Sequence, residues 1–387
     1  MTARHTLVRS LHSRRAIRNA RPRGKAPVGR VLVIRPDHLG DLLFATPALG
    51  VIRKALPEAH ITGAVGPWGK AMWSGNPDLD ALVDIRFPGI IERSNGLGAY
   101  RLLGAEADKL YDKSYDLGIV LRFDYWWGAA LLWAAGVPNR WGYRTGEMAA
   151  WLTLGIPYKA GRHEVEQDLY LAYSAASMYS NPVGKAAGMD RTHGEPPLTP
   201  PEPLKPETLP GGWEMWLAAP RRAIIHPGTA AANKLWTVSG WAEVARTLVE
   251  RGYAVAFTGS PAERPLAGAI AARVPDASNF AGETAGIEQL AWLFTQAGMV
   301  LGVDSGPLHL ADALGKPSLH LYGPSDEVAW GPWGDPGMHR TLRAPGTRPT
   351  MHLDVISREI EGGAEMRAIT LDMVMREVDE LARIAGT

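Results

Sequence analysis

The sequence predicts an α/β protein of two doubly wound, Rossmann-like domains. Three observations carry this expectation. A strand, a glycine-bearing turn and a helix open at Val31, and the same grammar restarts at Ala223. Short apolar strands alternate with helical segments in both halves, which implies crossover connections and parallel sheets. Seven prolines crowd between Pro196 and Pro210 and separate the halves. A length of 387 residues also suits two ordinary domains better than one core.

In the first half, Val31–Arg35 (VLVIR) reads as a short strand, followed by the turn PDHLG and a helix opening at Asp41. Ile61–Val65, Ala81–Phe87 and Leu117–Leu121 read as further buried strands, and a helix near Glu164–Ser177 ends the half. The apolar run Trp126–Val137 is about half of the roughly 20 residues that cross a bilayer, so it is expected to be a buried helix. Prolines at the density seen after Pro196 cannot join a sheet or a helix interior, and predict a semi-rigid linker over 196–212.

In the second half, strands are expected at Ala223–His226, Tyr253–Phe257 and Met299–Val303, with Ser318–Leu321 the last clear one. Helices are expected at Gly240–Glu250, Ala262–Arg273, Ile287–Gln296 and Pro307–Leu314, and a C-terminal one at Leu371–Ile384 with apolar positions at 3–4 spacing. The expected division is an arm over 1–30, domains over 31–195 and 213–387, and the linker between them. Ligands of doubly wound sheets bind outside the carboxyl ends of the strands, so the expected cleft lies between those ends of the two sheets.

Composition excludes several chemistries. Net charge is +1, so no overall field draws the chain to nucleic acid. Residues 1–30 hold nine Lys or Arg and no acid, a cationic arm on a mildly acidic body. That arm lacks the apolar core of a secretory signal. It reads equally as a solvated tail or as an amphipathic segment on an anionic membrane surface. With no cysteine there is no disulfide, thiolate metal site or Cys nucleophile.

Three segments carry candidate chemistry. In VLGVDSGPLHLADALGKPSLHLYGPSD (300–326) a strand ends at Asp304, Ser305 and Gly306 turn, and a helix follows. Exposed amides and the positive helix end suit a phosphate, with the Ser305 hydroxyl and His309 one turn on as further donors. In HPGTAAANKLW (226–236) a second post-strand loop carries Thr229, and Lys234 offers a point charge for a diphosphate. In RPDHLGDLLFATPAL (35–49) the first βα turn carries His38 and Asp41. A carboxylate there serves as a helix cap, as a general base, or as both. Asp78-Leu79-Asp80 matches a D-x-D metal string, but it enters a strand away from the phosphate loops, and no metal is expected. Arg122 and Arg144 read either as surface ion pairs or as contacts to an anionic acceptor. Of the 14 tryptophans, Trp330 and Trp333 are the ones expected near a donor; the rest read as packing.

From about Val31 to Gly334 the chain resembles the ADP-heptose:lipopolysaccharide heptosyltransferases of glycosyltransferase family 9. The match rests on the first strand followed by x-x-x-G-D with Pro-Ala-Leu downstream, on Lys234-Leu235-Trp236, and on V-D-S-G-x-x-H before Y-G-P-S-D. The resemblance implies a GT-B type, inverting, metal-independent glycosyltransferase. It would bind a nucleotide-diphosphate sugar, ADP-heptose, in the C-terminal domain and a lipopolysaccharide-type or other glycan acceptor in the N-terminal one. It makes Asp41 the base and Lys234 the donor lysine, and assigns Asp304, Ser305, Gly306 and His309 to the phosphate loop. It brings Glu263 near the donor nucleoside, and Arg35, Arg122 and Arg144 near an acidic acceptor. It further implies a cytoplasmic enzyme, peripheral on the inner face of a bacterial inner membrane. Asp312 departs from the pattern, standing where the family has a small apolar residue, and Pro88–Leu103 reads as an insertion. The alternatives are a family member with another donor or acceptor, a sugar-nucleotide epimerase or hydrolase, or a non-catalytic sugar-nucleotide binder.

Overall fold

A computed structural model describes residues 28–90, 97–179, 197–349 and 363–384, so the expectations for the basic arm fall outside the described residues except at its last three. The chain divides into two compact units, 1–196 and 197–387. The proline-dense stretch belongs with the second: the Leu204 N–H donates to the Glu288 carbonyl at 3.0 Å.

The first unit is a six-stranded, all-parallel sheet in the order β3-β2-β1-β4-β5-β6. Its strands are β1 (Arg30–Ile34), β2 (His60–Val65), β3 (Ala81–Asp84), β4 (Leu117–Val120), β5 (Asn139–Tyr143) and β6 (Leu154–Ile156). Helices α1 (Leu39–Phe44), α2 (Thr46–Ala55), α3 (Leu97–Tyr111), α4 (Trp126–Ala134) and α5 (Glu164–Tyr179) cover it. Val31, Leu32, Val33 and Ile34 are wholly buried, as the unbroken apolar run of a strand covered on both faces requires. Helix α4 is apolar all round and buried from Trp127 to Ala134, so it is a core helix. It reaches the sheet through Gly118, where a Cβ would meet the Leu132 side chain at 2.4 Å.

The second unit repeats the design. Its strands β7 (Arg222–His226), β8 (Ala254–Phe257), β9 (Ser278–Asn279), β10 (Met299–Val303), β11 (Ser318–Tyr322) and β12 (His339–Arg343) form a parallel sheet ordered β12-β11-β10-β7-β8-β9. Helices α6 (Trp213–Ala218), α7 (Val238–Glu250), α8 (Arg264–Ala271), α9 (Ile287–Thr295), α10 (Gly306–Ala313) and α11 (Leu371–Ile384) flank it. The 3–4 spacing read in α11 turns Val374, Val378 and Leu381 into the core.

Four strands, β5, β6, β9 and β12, escape sequence reading. β5 carries Arg140 and β12 (HRTLR) is largely polar, so Ser318–Leu321 is not the last strand. Arg140 fits because its guanidinium is consumed by the carbonyls of Val137 and Trp151, each at 2.7 Å. The helix after β1 also starts earlier than expected. His38, in extended conformation, is its N-cap, and Asp41 sits inside the first turn.

Both sheets reverse direction of winding beside their first strand, β1 next to β4 and β7 next to β10. Ligands of doubly wound folds bind at this switch point, outside the carboxyl ends of the strands. The segments 35–49, 226–236 and 300–326, and Arg122, follow those four strands; Glu263, Arg144, Trp330 and Trp333 do not, and the Asp78-Leu79-Asp80 string precedes β3.

Candidate active site

In the first unit, β1 ends at Arg35, which is 2% exposed and becomes the hub of a charged cluster. Its Nη1 donates to Asp168 Oδ1 and Oδ2 at 3.0 and 3.2 Å, and its Nη2 to Glu164 Oε2 at 3.2 Å. Its Nε lies 2.8 Å from Asp37 Oδ2, a close ion pair too bent to be a hydrogen bond. Asp41 Oδ1 stands back, 3.7 Å from Nη2. Arg122, at the end of β4, donates from Nη1 to Asp37 and from Nε to Asp124 at 2.6 Å. Arg35 therefore has no free face for an acceptor, contrary to expectation. Three carboxylates lie within 3.2 Å of its guanidinium, and Asp41 is at 3.7 Å.

Asp41 is the carboxylate of this cluster that ligands can reach. Its side chain is 24% exposed, against 5% or less for Asp37, Glu164 and Asp168. Burial first, and then the charge of Asp37, raises its pKa above the usual carboxylate range, against Arg35, His38 and Arg122, which lower it. A carboxylate whose proton affinity is raised is the more effective proton acceptor.

In the second unit, a loop after β7 and a turn after β10 bring two cations and two carboxylates together. Lys234, ending a short 3₁₀ turn, donates to Asp304 Oδ2 at 2.7 Å, and the Thr229 hydroxyl donates to the Asp304 carbonyl at 3.3 Å. His309 Nε2 lies 3.5 Å from Asp304 Oδ1 and its Nδ1 lies 3.4 Å from Asp312 Oδ2. Burial opposes a charged imidazole, yet Asp304 and Asp312 raise the His309 pKa to about 9. Burial would also raise Asp304, but Lys234 and His309 hold it far below its usual value. The result is an alternating row, Lys234⁺, Asp304⁻, His309⁺, Asp312⁻. Ser305 caps α10 from an extended backbone without a side-chain cap bond, and its buried hydroxyl has no partner. The buried Ser325 hydroxyl, in the GPSD loop after β11, is likewise unpaired. Unpaired hydroxyls at a positive helix end are poised for an anion.

The remaining expected residues take other positions. Glu263 accepts from the Ser260 N–H at 2.7 Å and presses on Gly228 of the β7 loop, where a Cβ would meet its Oε1 at 2.2 Å. His38 is exposed beside Asp41. Arg144 is exposed on the β5–β6 side and donates to the Gly155 carbonyl at 2.7 Å. Trp330 is half-buried and Trp333 buried. Asp80 of the D-x-D string accepts from Arg53 and from the Ile61 N–H, at the amino end of the sheet, opposite the switch point. Among the described residues, His309, Asp312 and His320 bring atoms of metal-binding type within 4.8 Å of one another. Asp312 Oδ1 already lies 2.6 Å from the Ser318 hydroxyl, 2.9 Å from His320 Nε2 and 3.3 Å from His339 Nδ1, a network that satisfies a buried carboxylate by itself.

The profile of glycosyltransferase family 9 (heptosyltransferase) matches residues 105–352, well over half of the chain. The chain belongs to glycosyltransferase family 9. Lipopolysaccharide heptosyltransferase 2 of Escherichia coli K12 is 28% identical over 308 residues, 76% of this chain and 83% of that one. The solved E. coli ADP-heptose lps heptosyltransferase II superposes with a TM-score of 0.67 at 21% identity, covering 92% of this chain and 100% of its own. An iron-containing dodecameric glycosyltransferase, TibC of E. coli H10407, shares the fold with a TM-score of 0.53 at 14% identity, covering 93% and 78%. The family 9 chain is thus a glycosyltransferase of GT-B type, as its motifs suggested. The matched span holds both loops of the second unit but not Asp41.

Sequence reading missed Glu164 and Asp168, the two α5 carboxylates that hold Arg35. One signal was present. They stand four residues apart on one helix face, and Val165, Leu169 and Ala172 of the same helix are core residues. Acids at that spacing in a buried helix demand a cation from elsewhere in the fold.

Proposed function

We propose that this family 9 member is an inverting heptosyltransferase that moves a heptose from ADP-heptose to a hydroxyl of a lipopolysaccharide-type acceptor. The observation that carries this reading is that each unit brings one half of the chemistry to its own switch point: a reachable carboxylate of raised proton affinity in the first, and a helix start beside Lys234 and His309 with an unpaired hydroxyl in the second. Asp41 takes the proton of the acceptor hydroxyl while that oxygen attacks the anomeric carbon from the face opposite the donor phosphate. The bond from the anomeric carbon to the diphosphate oxygen breaks, and ADP departs carrying the extra negative charge. Lys234, the imidazolium of His309, the Ser305 hydroxyl and the start of α10 stabilise that charge as it develops. Glu263, beside the β7 loop, faces the nucleoside. Arg122, Arg144 and His38 are the groups we assign to an acidic acceptor. No helix among the described residues is long and apolar enough to cross a membrane, and we place the enzyme on the cytoplasmic side, with the basic arm drawn to anionic lipid. The donor and acceptor follow from relatives whose names state them, and these two fixed cations supply what a metal otherwise would.

The test is transfer from ADP-heptose to a truncated lipooligosaccharide, in EDTA and after metal analysis of the purified protein. Full turnover in EDTA with Asp41→Asn slower by about 10²–10⁴ supports the reading. Donor consumption without acceptor would indicate a hydrolase or epimerase, donor binding with no turnover a sugar-nucleotide binder, and loss of activity in EDTA a metal-dependent reaction.

A further inference from the structure

The cluster around Arg35 contains more acid than the reaction needs. One base is required, yet four carboxylates surround a single buried guanidinium. They are not equivalent. Asp168 is wholly buried and takes both hydrogens' worth of Nη1 contact at 3.0 and 3.2 Å. Glu164 takes Nη2 at 3.2 Å and is itself steadied by the Tyr158 hydroxyl at 3.2 Å. Asp41 approaches that same Nη2 but stays at 3.7 Å, outside hydrogen-bonding distance. Two carboxylates therefore flank one nitrogen, and the one from α5 holds the guanidinium at the closer distance.

We propose that Glu164 and Asp168 are positioning residues for Asp41: by occupying the Arg35 guanidinium from the α5 side, they deny Asp41 a close ion pair and keep its carboxylate free to accept a proton. This rests on the reading of Asp41 as the base. An arginine in direct contact lowers a carboxylate pKa by about 1–3 units and would make Asp41 a correspondingly poorer base. All elements packed around Asp41 contribute to the balance: Arg35 and Asp37 from the end of β1, His38 at the start of α1, Arg122 and Asp124 after β4, and Glu164 and Asp168 from α5. Tyr143 on β5 and Tyr158 before α5 feel the same carboxylates, their pKa values pushed up by burial first and then by Asp168 and Glu164 for Tyr143, and by Glu164 for Tyr158. Two arginines face Asp37, Asp41, Glu164 and Asp168, so the cluster stays short of positive charge, and its reachable member bears that deficit.

The isosteric variants Glu164→Gln and Asp168→Asn test this. Each removes a competitor for Arg35 and lets the guanidinium close on Asp41. The titration of Asp41 is read by carboxyl ¹³C NMR of aspartate-labelled protein, assigned by the signal that disappears in Asp41→Asn. We expect the Asp41 titration to move to lower pH by about one unit, the scale of a carboxylate gaining an adjacent arginine, with the larger move in Glu164→Gln because Glu164 shares Nη2. The acid limb of kcat/KM should move with it, with KM for the donor unchanged. If both folded variants leave the Asp41 titration in place, the two acids serve only to tie α5 to β1 and the proposal is overturned. If Asp168→Asn does not fold, Glu164→Gln, beside half-buried Tyr158, decides alone. Wild-type turnover in Asp41→Asn would overturn the base assignment, whereas the NMR titration judges the positioning of Asp41 independently of turnover.

Discussion

The two switch points of this molecule share a strand order and differ in how they manage charge. Beside β1 and β4, two arginines face four carboxylates, and the cluster is left negative. Beside β7 and β10, Lys234 and His309 alternate with Asp304 and Asp312, and the row is neutral before any ligand arrives. The first arrangement suits a group that must gain a proton. The second holds two cations in place without repulsion, ready for a diphosphate. Identical topology thus leaves the chemistry open, and the residues just past the strand ends decide it.

The largest test of this contrast removes the hub of the negative cluster. Arg35→Met should destabilise the protein by about 3–5 kcal/mol, because it strands buried carboxylates without a cation. Urea unfolding should show the deficit shrinking in acid. The carboxylates' folded-state pKa values would then lie above their unfolded ones, so their favourable contribution is present below the unfolded pKa and is lost as pH rises. A deficit that does not change with pH would mean that Arg35 acts by packing alone.

In the alternating row, Lys234→Ala should slow transfer by about 10²–10³, the usual loss of one group that stabilises developing charge, and should weaken ADP binding measured by calorimetry. Unchanged ADP affinity would remove Lys234 from the pocket and end the contrast between the two regions.

A finer effect concerns His309. Its folded pKa of about 9 lies above the ordinary histidine value. Its stabilising charge is therefore fully present below about 6.5 and lost as pH rises through about 9. ADP affinity should fall over the same alkaline range. Asp312→Asn removes one of the two carboxylates that hold the imidazolium, so the fall should begin at lower pH. An alkaline limb that Asp312→Asn leaves unmoved would show that Asp304 alone charges His309.

The sequence was most informative where function is contiguous. The proposed phosphate pocket occupies two short stretches, 226–236 and 300–326, and each follows a recognisable apolar strand, so its place in the fold was readable. The negative cluster was half readable. Asp41 lies eleven residues past the start of β1, but Glu164 and Asp168 on α5 are 123 and 127 positions further along, and single acids on a helix read as solvent-facing. Only the packing of α5 over the end of β1 turns them inward. The polar strands β5 and β12 failed for a related reason. Arg140 and the charged residues of β12 lack the apolar run that marks a central strand, because their polar groups are satisfied locally by carbonyls and carboxylates. Asp312 was seen as a departure from the family pattern, and its partners Ser318, His320 and His339 explain how a buried carboxylate is tolerated there.

The capping of α1 by His38 has a consequence for how this enzyme can diversify. Asp41 owes its place to the helix register and not to a cap bond of its own, so the exposed His38 is free to vary in chemistry while buried Asp37 keeps its ion pairs and the helix still delivers a carboxylate to the same spot. New acceptors can then be sampled by exchanging the side chain at position 38, with the charged surroundings of Asp41 left intact.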